Sequence, residues 1–499
     1  MTNHDLSPQA SFHPGELVMV DIQGQRLDEA TAQFLRQHHI RGVCLFRKNL
    51  GTEDEVRQLT RDLREVMGPR ALIALDQEGG SVVRATFLPQ APSAMALGAA
   101  GDETQAFAVG AAVARGLRSI GINWNFAPVL DVNNNPANPV IAERSFSENP
   151  HEVTRLARAW MKGSLSEGVA CCVKHFPGHG DTHVDSHLAL PTVDKSRAQL
   201  DELELLPFKA LADEAPAMMT AHIVYPQIDP EHPATLSRRI LGDILRDEWG
   251  YQGVVITDAL MMKAIFDRYG YARSSELAIS AGADMILAQG SLEEQGKALA
   301  ALEAAFAEGR LTLAQGLQAK ARLDAFAQQY PVRHDDYVNP QRELDDQLMR
   351  QAWASGLSTL RGAVPPARDA QLLVLVQPDV PTDGVSEAGL HGSRIQALFS
   401  GFPNAEVRFV DDILNLGPSA LREDGRPVVL VSTHRMRYPQ AARDWPVSLH
   451  LSVWNPFQAL DLPVPTVVTW GYADGAMAGL EAWLHGRHAG SAQSPVNLG

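Results

Sequence analysis

The sequence predicts an α/β protein in which a (β/α)8 TIM-like barrel is followed by a smaller α/β sandwich domain. The length of 499 residues allows about three domains of ~150 residues, or a single barrel of ~250 residues with a second unit. Short apolar or β-branched runs alternate with helix-spaced segments up to residue 287, as expected for a parallel barrel. A second alternation of the same kind begins near residue 343. An open, doubly wound sheet stays an alternative for the first part.

The predicted barrel strands are short, and amphipathic segments lie between them. Eight runs are predicted to be strands: 17–21, 43–46, 72–76, 122–128, 170–174, 217–220, 254–257 and 285–287. Helical spacing is predicted over 53–66, 103–120, 150–167, 200–214, 238–249, 274–281, 292–308 and 314–329.

The segment 330–342 is polar, contains proline and has no hydrophobic period, which indicates a domain boundary. We therefore expect a catalytic barrel domain over residues 1–335, and a linker with the sandwich domain over 336–499. In this second part, helices are predicted at 344–354 and 474–484, and strands at 372–376, 406–410, 428–432, 449–454 and 467–470. The polar segment 490–499 is predicted to fray.

The composition excludes several classes of partner. Asp and Glu outnumber Lys and Arg by 59 to 43, for a formal charge of −16, and no basic run is present, so no nucleic-acid partner is expected. No apolar run approaches about 18 residues and the N-terminal segment lacks a signal-peptide pattern, so no membrane partner is expected. Cys44, Cys171 and Cys172 fit free thiols in a reducing compartment. A cytoplasmic protein is predicted.

Charged and imidazole side chains follow five consecutive predicted strands at the point where each strand ends. They are Asp76 and Arg84 after the third strand, Arg144 after the fourth, Lys174 and His175 after the fifth, His222 after the sixth and Asp258 after the seventh. Because the loops after barrel strands open onto one face, we expect these side chains to meet in one pocket. Each also has a structural explanation, since an Asp before a helix is often its N-cap and an Arg can pin a loop. Their convergence favours a site.

The segment 175–187 is rich in Gly, His and Asp, and its histidines recur at every fourth residue. That spacing would suit metal ligands on a helix, but Pro177 and Gly178 break such a helix. A loop above the pocket is therefore predicted, and no metal site. Within it, Asp185 lies two residues before His187 and can hold the ring Nδ1–H. Such a pair favours the imidazolium and suits proton transfer near neutral pH.

Seven strings carry a resemblance to a known family. They are LDQEGGSVVR (75–84), NWNFAPVLDV (123–132), ERSF (143–146), KHFPGHGDTHVDSH (174–187), MTAHIVYP (219–226), PATLS (233–237) and GVVITDALMM (253–262). Together they resemble the glycoside hydrolase family 3 β-N-acetylglucosaminidases (β-N-acetylhexosaminidases) of the bacterial cell-wall-recycling type. The fourth string separates this branch from the β-glucosidases of the family, whose acid/base residue comes from a later domain.

The resemblance implies a retaining exo-β-N-acetylglucosaminidase that acts on cell-wall (muropeptide-type) or chito-oligosaccharide substrates and needs no cofactor. It implies that Asp258 is the nucleophile and that His187 is the acid/base, oriented by Asp185. It gives the contacts with the hydroxyls of the terminal sugar to Asp76, Arg84, Arg144, Lys174 and His175, with His222 and Met262 near the pocket. Arg84, Arg144 and Lys174 are further candidates for binding the carboxylate of a lactyl-bearing neighbour sugar. The expected partner is a carbohydrate containing N-acetylglucosamine.

Other functions stay open from the sequence. Phosphate can replace water as the acceptor, because histidine does not repel phosphate as a carboxylate would; the protein would then be a glycoside phosphorylase. A β-glucosidase or another hexosidase would need the same catalytic groups. A glycan-binding barrel without catalysis is disfavoured, because the nucleophile and the Asp–His pair are both present. No P-loop, H-E-x-x-H or G-x-S-x-G motif indicates a different chemistry.

Overall fold

A computed structural model describes residues 12–187, 189–378, 390, 392–417, 421 and 425–499. In chain order, the strands of its first part are β1 (Val18–Asp21), β2 (Gly42–Cys44), β3 (Leu72–Leu75), β4 (Gln77–Gly79), β5 (Val82–Val83), β6 (Trp124–Asn125), β7 (Ala170–Phe176), β8 (Ala217–Thr220), β9 (Val254–Ala259) and β10 (Met285–Ala288). All but β4 and β5 are parallel and form a closed ring in the order β1-β10-β9-β8-β7-β6-β3-β2. The predicted (β/α)8 barrel is confirmed.

The ring closes where the first strand meets the last. Val18, Met19 and Val20 of β1 lie opposite Ile286, Leu287 and Ala288 of β10. Strands buried on both faces are typical of a parallel sheet that helices cover, and β1 and β10 are fully buried. This burial explains why the strands read as uninterrupted apolar runs in the sequence.

Helices cover the barrel and the second sheet. They are α1 (Glu29–Gln37), α2 (Glu53–Met67), α3 (Ala94–Ala100), α4 (Glu103–Ser119), α5 (Pro150–Ser166), α6 (Arg197–Glu202), α7 (Leu205–Leu211), α8 (Lys263–Ala281), α9 (Leu292–Ala307), α10 (Leu313–Gln329), α11 (Gln341–Gly356), α12 (Gly392–Leu398), α13 (Gln458–Asp461) and α14 (Asp474–Leu484). A π-helix spans Arg239–Glu248, and short 3-10 helices span Pro14–Leu17, Arg47–Asn49, Ala142–Arg144, Ala234–Leu236, Ile413–Asn415 and Gln440–Asp444.

The second sheet has six strands in the order β11-β16-β15-β14-β12-β13. Their bounds are β11 (Ser358–Leu360), β12 (Leu373–Val376), β13 (Glu406–Phe409), β14 (Val428–Ser432), β15 (Val447–Ser452) and β16 (Thr466–Val468). Neighbouring strands are parallel except β11, which was not predicted and pairs antiparallel with β16. Side chains alternate across β12, so that Val374 packs into one buried cluster and Leu373 into another on the opposite face. The sheet is therefore covered on both sides, as predicted for the smaller α/β domain.

Helix α11 joins the two parts. Asp345 on α11 accepts two hydrogen bonds from the guanidinium of Arg115 on α4, at 2.6 and 2.9 Å. Trp353 on α11 shares a buried apolar cluster with Met95 and Ala96 of α3. The segment 331–338, just before α11, contains neither helix nor strand. We propose the domain division at residues 335 and 336 on that ground.

Three local predictions were wrong. The predicted helix 200–214 is two helices, α6 and α7, because the chain turns at Leu203 and brings the buried Glu204 into an ion pair with Lys195. The predicted helix 274–281 begins earlier, as α8, and bends at Gly270, whose φ of +63° is accessible to glycine.

The segment 490–499 does not fray. Val496 and Leu498 are buried, and the carbonyl oxygen of Pro495 accepts a hydrogen bond of 2.7 Å from the Ser147 hydroxyl of the barrel part. The polar composition of this segment predicted that it would be exposed. Composition carries no information about contacts with residues that are distant in sequence, such as Ser147. Within the described ranges, no helix has the length and apolar character needed to cross a bilayer.

Candidate active site

A cavity of about 310 Å³ opens among the carboxyl ends of the barrel strands. Its polar and ionisable lining residues are Cys44, Asp76, Glu78, Arg144, Lys174, His175, His179, Ser186, His187, Asp258, Lys263 and Gln289. Its apolar wall consists of Phe46, Val82, Phe126, Val140, Met219, Ala259, Met261, Met262 and Leu287. Seven of the ten predicted site residues line this cavity: Asp76, Arg144, Lys174, His175, His187, Asp258 and Met262. The other three, Arg84, Asp185 and His222, are not among the lining residues.

Asp258 lies near the end of β9 with one carboxylate oxygen, Oδ1, 2.7 Å from the backbone N–H of the next residue, Ala259. Burial by itself raises the pKa of this carboxyl. Nearby imidazole charges at His222, His175 and His187 outweigh burial and lower the pKa below its ordinary value. The side chain is thus held as a carboxylate at the wall of the cavity, which is the form that a nucleophile requires.

His187 and Asp185 form the pair that their spacing predicted. The ring Nδ1 of His187 lies 2.7 Å from Oδ1 of Asp185, and the same oxygen accepts the backbone N–H of His187 at 2.9 Å. Burial lowers the pKa of the ring, but the hydrogen bond and charge of Asp185, with the charge of Asp258, raise it above its ordinary value overall. Because Nδ1 is engaged, Nε2 is the nitrogen left for proton transfer.

Two carboxylates and three cations form a buried cluster on one wall. The ammonium of Lys174, on β7, lies 2.6 Å from Oδ1 of Asp76 and 2.6 Å from Oε1 of Glu78. Arg144 donates two hydrogen bonds to Glu78, at 2.8 and 2.9 Å. Arg84 donates to Asp76 at 3.3 Å from behind the wall. Each charge is thus balanced by a partner, as burial requires.

The partners in this cluster fix its protonation. Burial alone would raise the pKa of Asp76, but the positive charges of Lys174 and Arg84 outweigh burial, so the pKa of Asp76 lies below its ordinary value. Glu78 has its pKa lowered further, because the charges of Arg144 and Lys174 outweigh the burial that opposes them. Lys174 is 2% exposed, and its pKa is raised by the same two carboxylates despite burial. The cluster therefore presents fixed donors and acceptors to a bound polar molecule.

Glu78 and Asp131 were missed by sequence reasoning. Glu78 lies on β4, two residues after Asp76, so both carboxylates can reach Lys174. Asp131 accepts the Nδ1–H of His175 at 2.7 Å and the backbone N–H of His179 at 2.7 Å. Both acids stand inside strings quoted for the family resemblance, which was the available signal. Their role depends on partners distant in sequence.

His222 is buried beside the end of β9 and is not among the residues that line the cavity. Its Nδ1 lies 2.7 Å from the Thr235 hydroxyl and its Nε2 lies 2.9 Å from the carbonyl oxygen of Ala259, and the ring is fully buried. Burial is the main cause that lowers its pKa. The ring therefore contacts the end of β9 next to Asp258, while Arg84 contacts Asp76. The substrate-binding roles expected of these two residues stay predictions.

The loop 175–187 is tied to the barrel by hydrogen bonds. The two ring nitrogens of His179 lie 2.9 Å from the Thr182 hydroxyl and 3.0 Å from the Ser186 hydroxyl. The amide of Asn138 donates to the carbonyl oxygens of His179 and Gly180, at 2.8 and 3.0 Å. Gly180 packs so closely that an added Cβ would lie 1.7 Å from the carbonyl oxygen of Val132. Among the described residues, no group of three or more His, Cys, Asp or Glu side chains is arranged to hold a metal ion.

Lys263 differs from the other cations that line the cavity in its ion pairing. It stands at the first position of α8, is exposed, and has no ion pair within the part of the chain that the structure describes. Arg84, Arg144 and Lys174 are each engaged with Asp76 or Glu78. These three cations, which were the candidates for binding a lactyl carboxylate, thus each have a carboxylate partner within the protein.

Comparison with known proteins decides the family. The model of the glycosyl hydrolase family 3 N-terminal domain matches residues 13–325. The chain belongs to glycosyl hydrolase family 3. Membership makes it a glycoside hydrolase, and the matched residues contain the whole lining of the cavity.

Three similar proteins extend the comparison. A β-N-acetylglucosaminidase structure from Paenibacillus sp. str. FPU-7 is 32% identical, with a TM-score of 0.86 over 97% of this chain and 98% of the other. Beta-hexosaminidase A of Pseudoalteromonas piscicida is 36% identical over 388 residues, which are 70% of this chain and 64% of that protein. A beta-hexosaminidase of Alkalilimnicola ehrlichii is 40% identical over 279 residues, which are 54% of this chain and 79% of that protein.

Proposed function

We propose that this family 3 enzyme is a retaining exo-β-N-acetylglucosaminidase that removes terminal β-linked N-acetylglucosamine. One observation carries the proposal: a single cavity holds the carboxylate of Asp258, with a lowered pKa, and the imidazole of His187, with a raised pKa. Groups whose pKa values are driven apart in this way suit the roles of nucleophile and acid. The names of the three relatives support the choice of sugar.

The proposed reaction has two steps. In the first, Asp258 attacks the anomeric carbon while Nε2–H of His187 gives its proton to the leaving oxygen, so that a glycosyl–enzyme ester forms and the aglycone departs. In the second, the neutral ring of His187 takes a proton from water, which attacks the anomeric carbon and releases Asp258 as the carboxylate. Asp185 stabilises the imidazolium before the first step and after the second.

The cluster of Asp76, Glu78, Arg144 and Lys174 is proposed to bind the terminal sugar, with His175 beside it. Hydroxyl groups can donate to its carboxylates and accept from its cations, so a sugar ring would replace water without losing hydrogen bonds. Met262 contributes to the apolar wall. A volume of about 310 Å³ suits one sugar unit, which supports cleavage from a chain end.

The aglycone is proposed to be either a cell-wall sugar of the muropeptide type or a second N-acetylglucosamine. Lys263 gives a physical ground for the first, since an unpaired cation at the cavity would attract a lactyl carboxylate. The cytoplasmic location stays a prediction.

The test uses 4-nitrophenyl N-acetyl-β-glucosaminide and the matching β-glucoside, each with and without inorganic phosphate. We expect release from the N-acetyl sugar alone, unchanged by phosphate, with N-acetylglucosamine as the product. Formation of a sugar 1-phosphate would make the protein a phosphorylase, and preference for the glucoside would make it a β-glucosidase. Release from neither substrate would overturn the proposal.

The covalent step is tested separately with Asp258→Asn. We expect loss of at least about 10³-fold in kcat, since the amide cannot form the ester intermediate. Asp267→Asn, an exposed change on the helix that follows β9, is the matched control and should keep the wild-type rate. An Asp258→Asn protein with near-normal turnover would remove Asp258 from the role of nucleophile.

A further inference from the structure

The second sheet domain contacts the loop that carries a sugar-binding side chain. The β6–α5 loop (residues 126–149) contains Val140 and Arg144, which line the cavity, and Glu143, which points away from it into the contact with the second domain. No residue beyond Gln289 lines the cavity in the part of the chain that the structure describes. The second domain therefore adds no side chain to the cavity itself, and this loop is one route by which it can affect the site.

Glu143 is the centre of the contact. Its side chain is fully buried, and Oε1 accepts hydrogen bonds from the indole N–H of Trp454 at 2.9 Å and from Arg435 at 3.2 Å, both on the second domain. The Ser81 hydroxyl of the barrel part donates to the same oxygen at 2.5 Å. The guanidinium of Arg435 also lies 5.3 Å from the ring centroid of Trp454, over its face. A buried carboxylate is thus compensated by groups from both parts of the chain.

The carbonyl oxygen of Val140 links this contact to the cavity. It accepts one hydrogen bond of 3.1 Å from Arg435 and another of 3.2 Å from Arg144. Arg144 in turn holds Glu78 through two hydrogen bonds. The two guanidiniums therefore meet at one peptide group, one from the second domain and one from the cavity wall.

The segment that carries Arg435 is itself anchored. The amide of Asn455 donates to the carbonyl oxygen of Arg435 at 2.7 Å, and that of Gln458 donates to the carbonyl oxygen of Met436 at 2.7 Å. Arg437 forms two hydrogen bonds of 2.6 Å with Asp461 and donates to the carbonyl oxygen of Pro136 at 2.8 Å. Arg435 is therefore presented by a fixed backbone.

We propose that Arg435 is a positioning residue for the sugar-binding wall, acting on Arg144 through the Val140 carbonyl and through Glu143. This inference rests on the proposed function for the identity of the sugar, and assigns to the second domain a part in substrate binding. A guanidinium suits the role because its rigid planar fork presents several N–H donors in fixed directions, whereas the ammonium of lysine is a compact charge without that fixed geometry. Loss of the fork would free the β6–α5 loop and misplace Arg144, and displacements of about 1 Å at such groups are costly.

The test compares Arg435→Met, Arg435→Lys and the wild type in full-length protein. With 4-nitrophenyl N-acetyl-β-glucosaminide we expect KM to rise about tenfold in Arg435→Met, with kcat changed less than about threefold, because ground-state and transition-state binding weaken together. Lysine keeps one hydrogen bond and should recover part of the loss. The pH profile should not move, because the groups through which Arg435 is proposed to act, the Val140 carbonyl and the Glu143 carboxylate, are neither the acid/base nor the nucleophile of the proposed reaction. Arg426→Met, which breaks an ion pair with Glu406 on β13, is the control and should match the wild type.

Hydrogen–deuterium exchange supplies a readout that does not depend on activity. Peptides from residues 133–149 should exchange faster in Arg435→Met than in the wild type and in Arg426→Met. Unchanged exchange together with KM within twofold of wild type would overturn the proposal. If Arg435→Met fails to fold, Trp454→Phe decides in its place: a higher KM supports the proposal and an unchanged KM overturns it. If the wild type cleaves no N-acetyl sugar, the proposed function fails, and the exchange comparison alone decides the positioning role.

Discussion

At the scale of single residues, the proposed mechanism requires one histidine, His187, to be charged before the first step and neutral after it. The hydrogen bond of 2.7 Å from His187 to Asp185 stabilises the charged form, while the burial of the ring favours the neutral form. The net effect of these opposing causes is that the pKa of the ring lies above its ordinary value. An acid that can also serve as a base needs such a balance.

Replacement of this ring should discriminate between leaving groups. In His187→Ala, kcat/KM for an unactivated disaccharide should fall by about 10² to 10⁴, because proton donation to a poor leaving group is lost. A dinitrophenyl glycoside should lose far less, since it departs without a proton. The measurement is kcat/KM of the variant and of the wild type on each substrate. His183→Ala, which removes an exposed ring from the same loop, is the control and should leave kcat/KM unchanged on both substrates. Equal losses on both substrates would remove His187 from the acid role.

The partner of the ring controls the pH dependence. Asp185 raises the pKa of His187, so Asp185→Asn should lower it. The protonated acid is then lost at lower pH, and the basic limb of the kcat/KM profile moves to lower pH while the acidic limb, set by Asp258, stays. Profiles of kcat/KM against pH check this shift. Asp181→Asn, which removes an ion pair with Lys195 in the same loop, is the control; a basic limb that does not move would contradict the pairing.

Residues whose role follows from the strand end or from a local pair could be predicted from the sequence. Asp258 stands at the end of an apolar run, and Asp185 lies two residues from His187, so both could be identified as candidates from the sequence. His222 occupies a strand end too, but its ring turns toward Thr235 instead of the cavity. The role of Glu78 could not be predicted because it depends on an ion pair with Lys174, which lies on a strand distant in sequence.

At the scale of elements, the ends of three strands are held together by one ammonium group. Lys174 on β7 joins Asp76, directly after β3, to Glu78 on β4. Two carboxylates this close repel each other unless a cation lies between them. The cluster proposed to bind the sugar therefore also links these three strands of the barrel part to one another.

Lys174→Met should weaken the fold as well as substrate binding. Removing one partner of a buried ion pair leaves charges without compensation and costs about 3 to 5 kcal/mol, so we expect the free energy of unfolding to fall by that amount. Urea unfolding followed by circular dichroism measures it. Lys297→Met breaks the exposed pair with Glu293 on α9 and should change stability by less than about 0.5 kcal/mol. Equal stability of the two variants would contradict the role given to Lys174.

The strands could be predicted because burial on both faces leaves a simple apolar run in the sequence. The divided helix at 200–214 could not, because the periodicity continues across Leu203 while Glu204 turns inward to Lys195. The hairpin of β4 and β5 was missed because its strands are three and two residues long, and because β4 contains glutamate and glycine. Short elements in active-site loops lack the period on which such predictions rest.

At the scale of the whole molecule, residues at 495–498 complete the contact between the two parts. Besides the hydrogen bond from Ser147 to Pro495, the backbone N–H of Asn497 donates to the carboxylate of Glu148 at 2.9 Å. Both barrel residues follow Arg144 on the β6–α5 loop. The last part of that loop is therefore held by the second domain at two places, Glu143 and Ser147.

Leu498→Ala tests the contribution of this segment. Leu498 is 3% exposed, and loss of a buried leucine side chain costs about 2 kcal/mol or more. We expect a lower melting temperature in thermal unfolding, with kcat reduced little. Leu313→Ala, at a site 61% exposed, is the matched control and should leave the melting temperature within about one degree of wild type. An unchanged melting temperature in Leu498→Ala would contradict the packing of this segment and would favour the frayed end that composition predicted.

The contact between Ser147 and Pro495 spans 348 residues of sequence, and this separation has a consequence during biosynthesis. At translation rates of about 5–20 residues per second, roughly 17 to 70 seconds pass between the appearance of the first partner and that of the second. Before then, the barrel strands have been made, but the β6–α5 loop still lacks the partners that fix it. A nascent chain would therefore acquire its full affinity for sugar only at the end of synthesis, which makes the order of translation part of how the site matures.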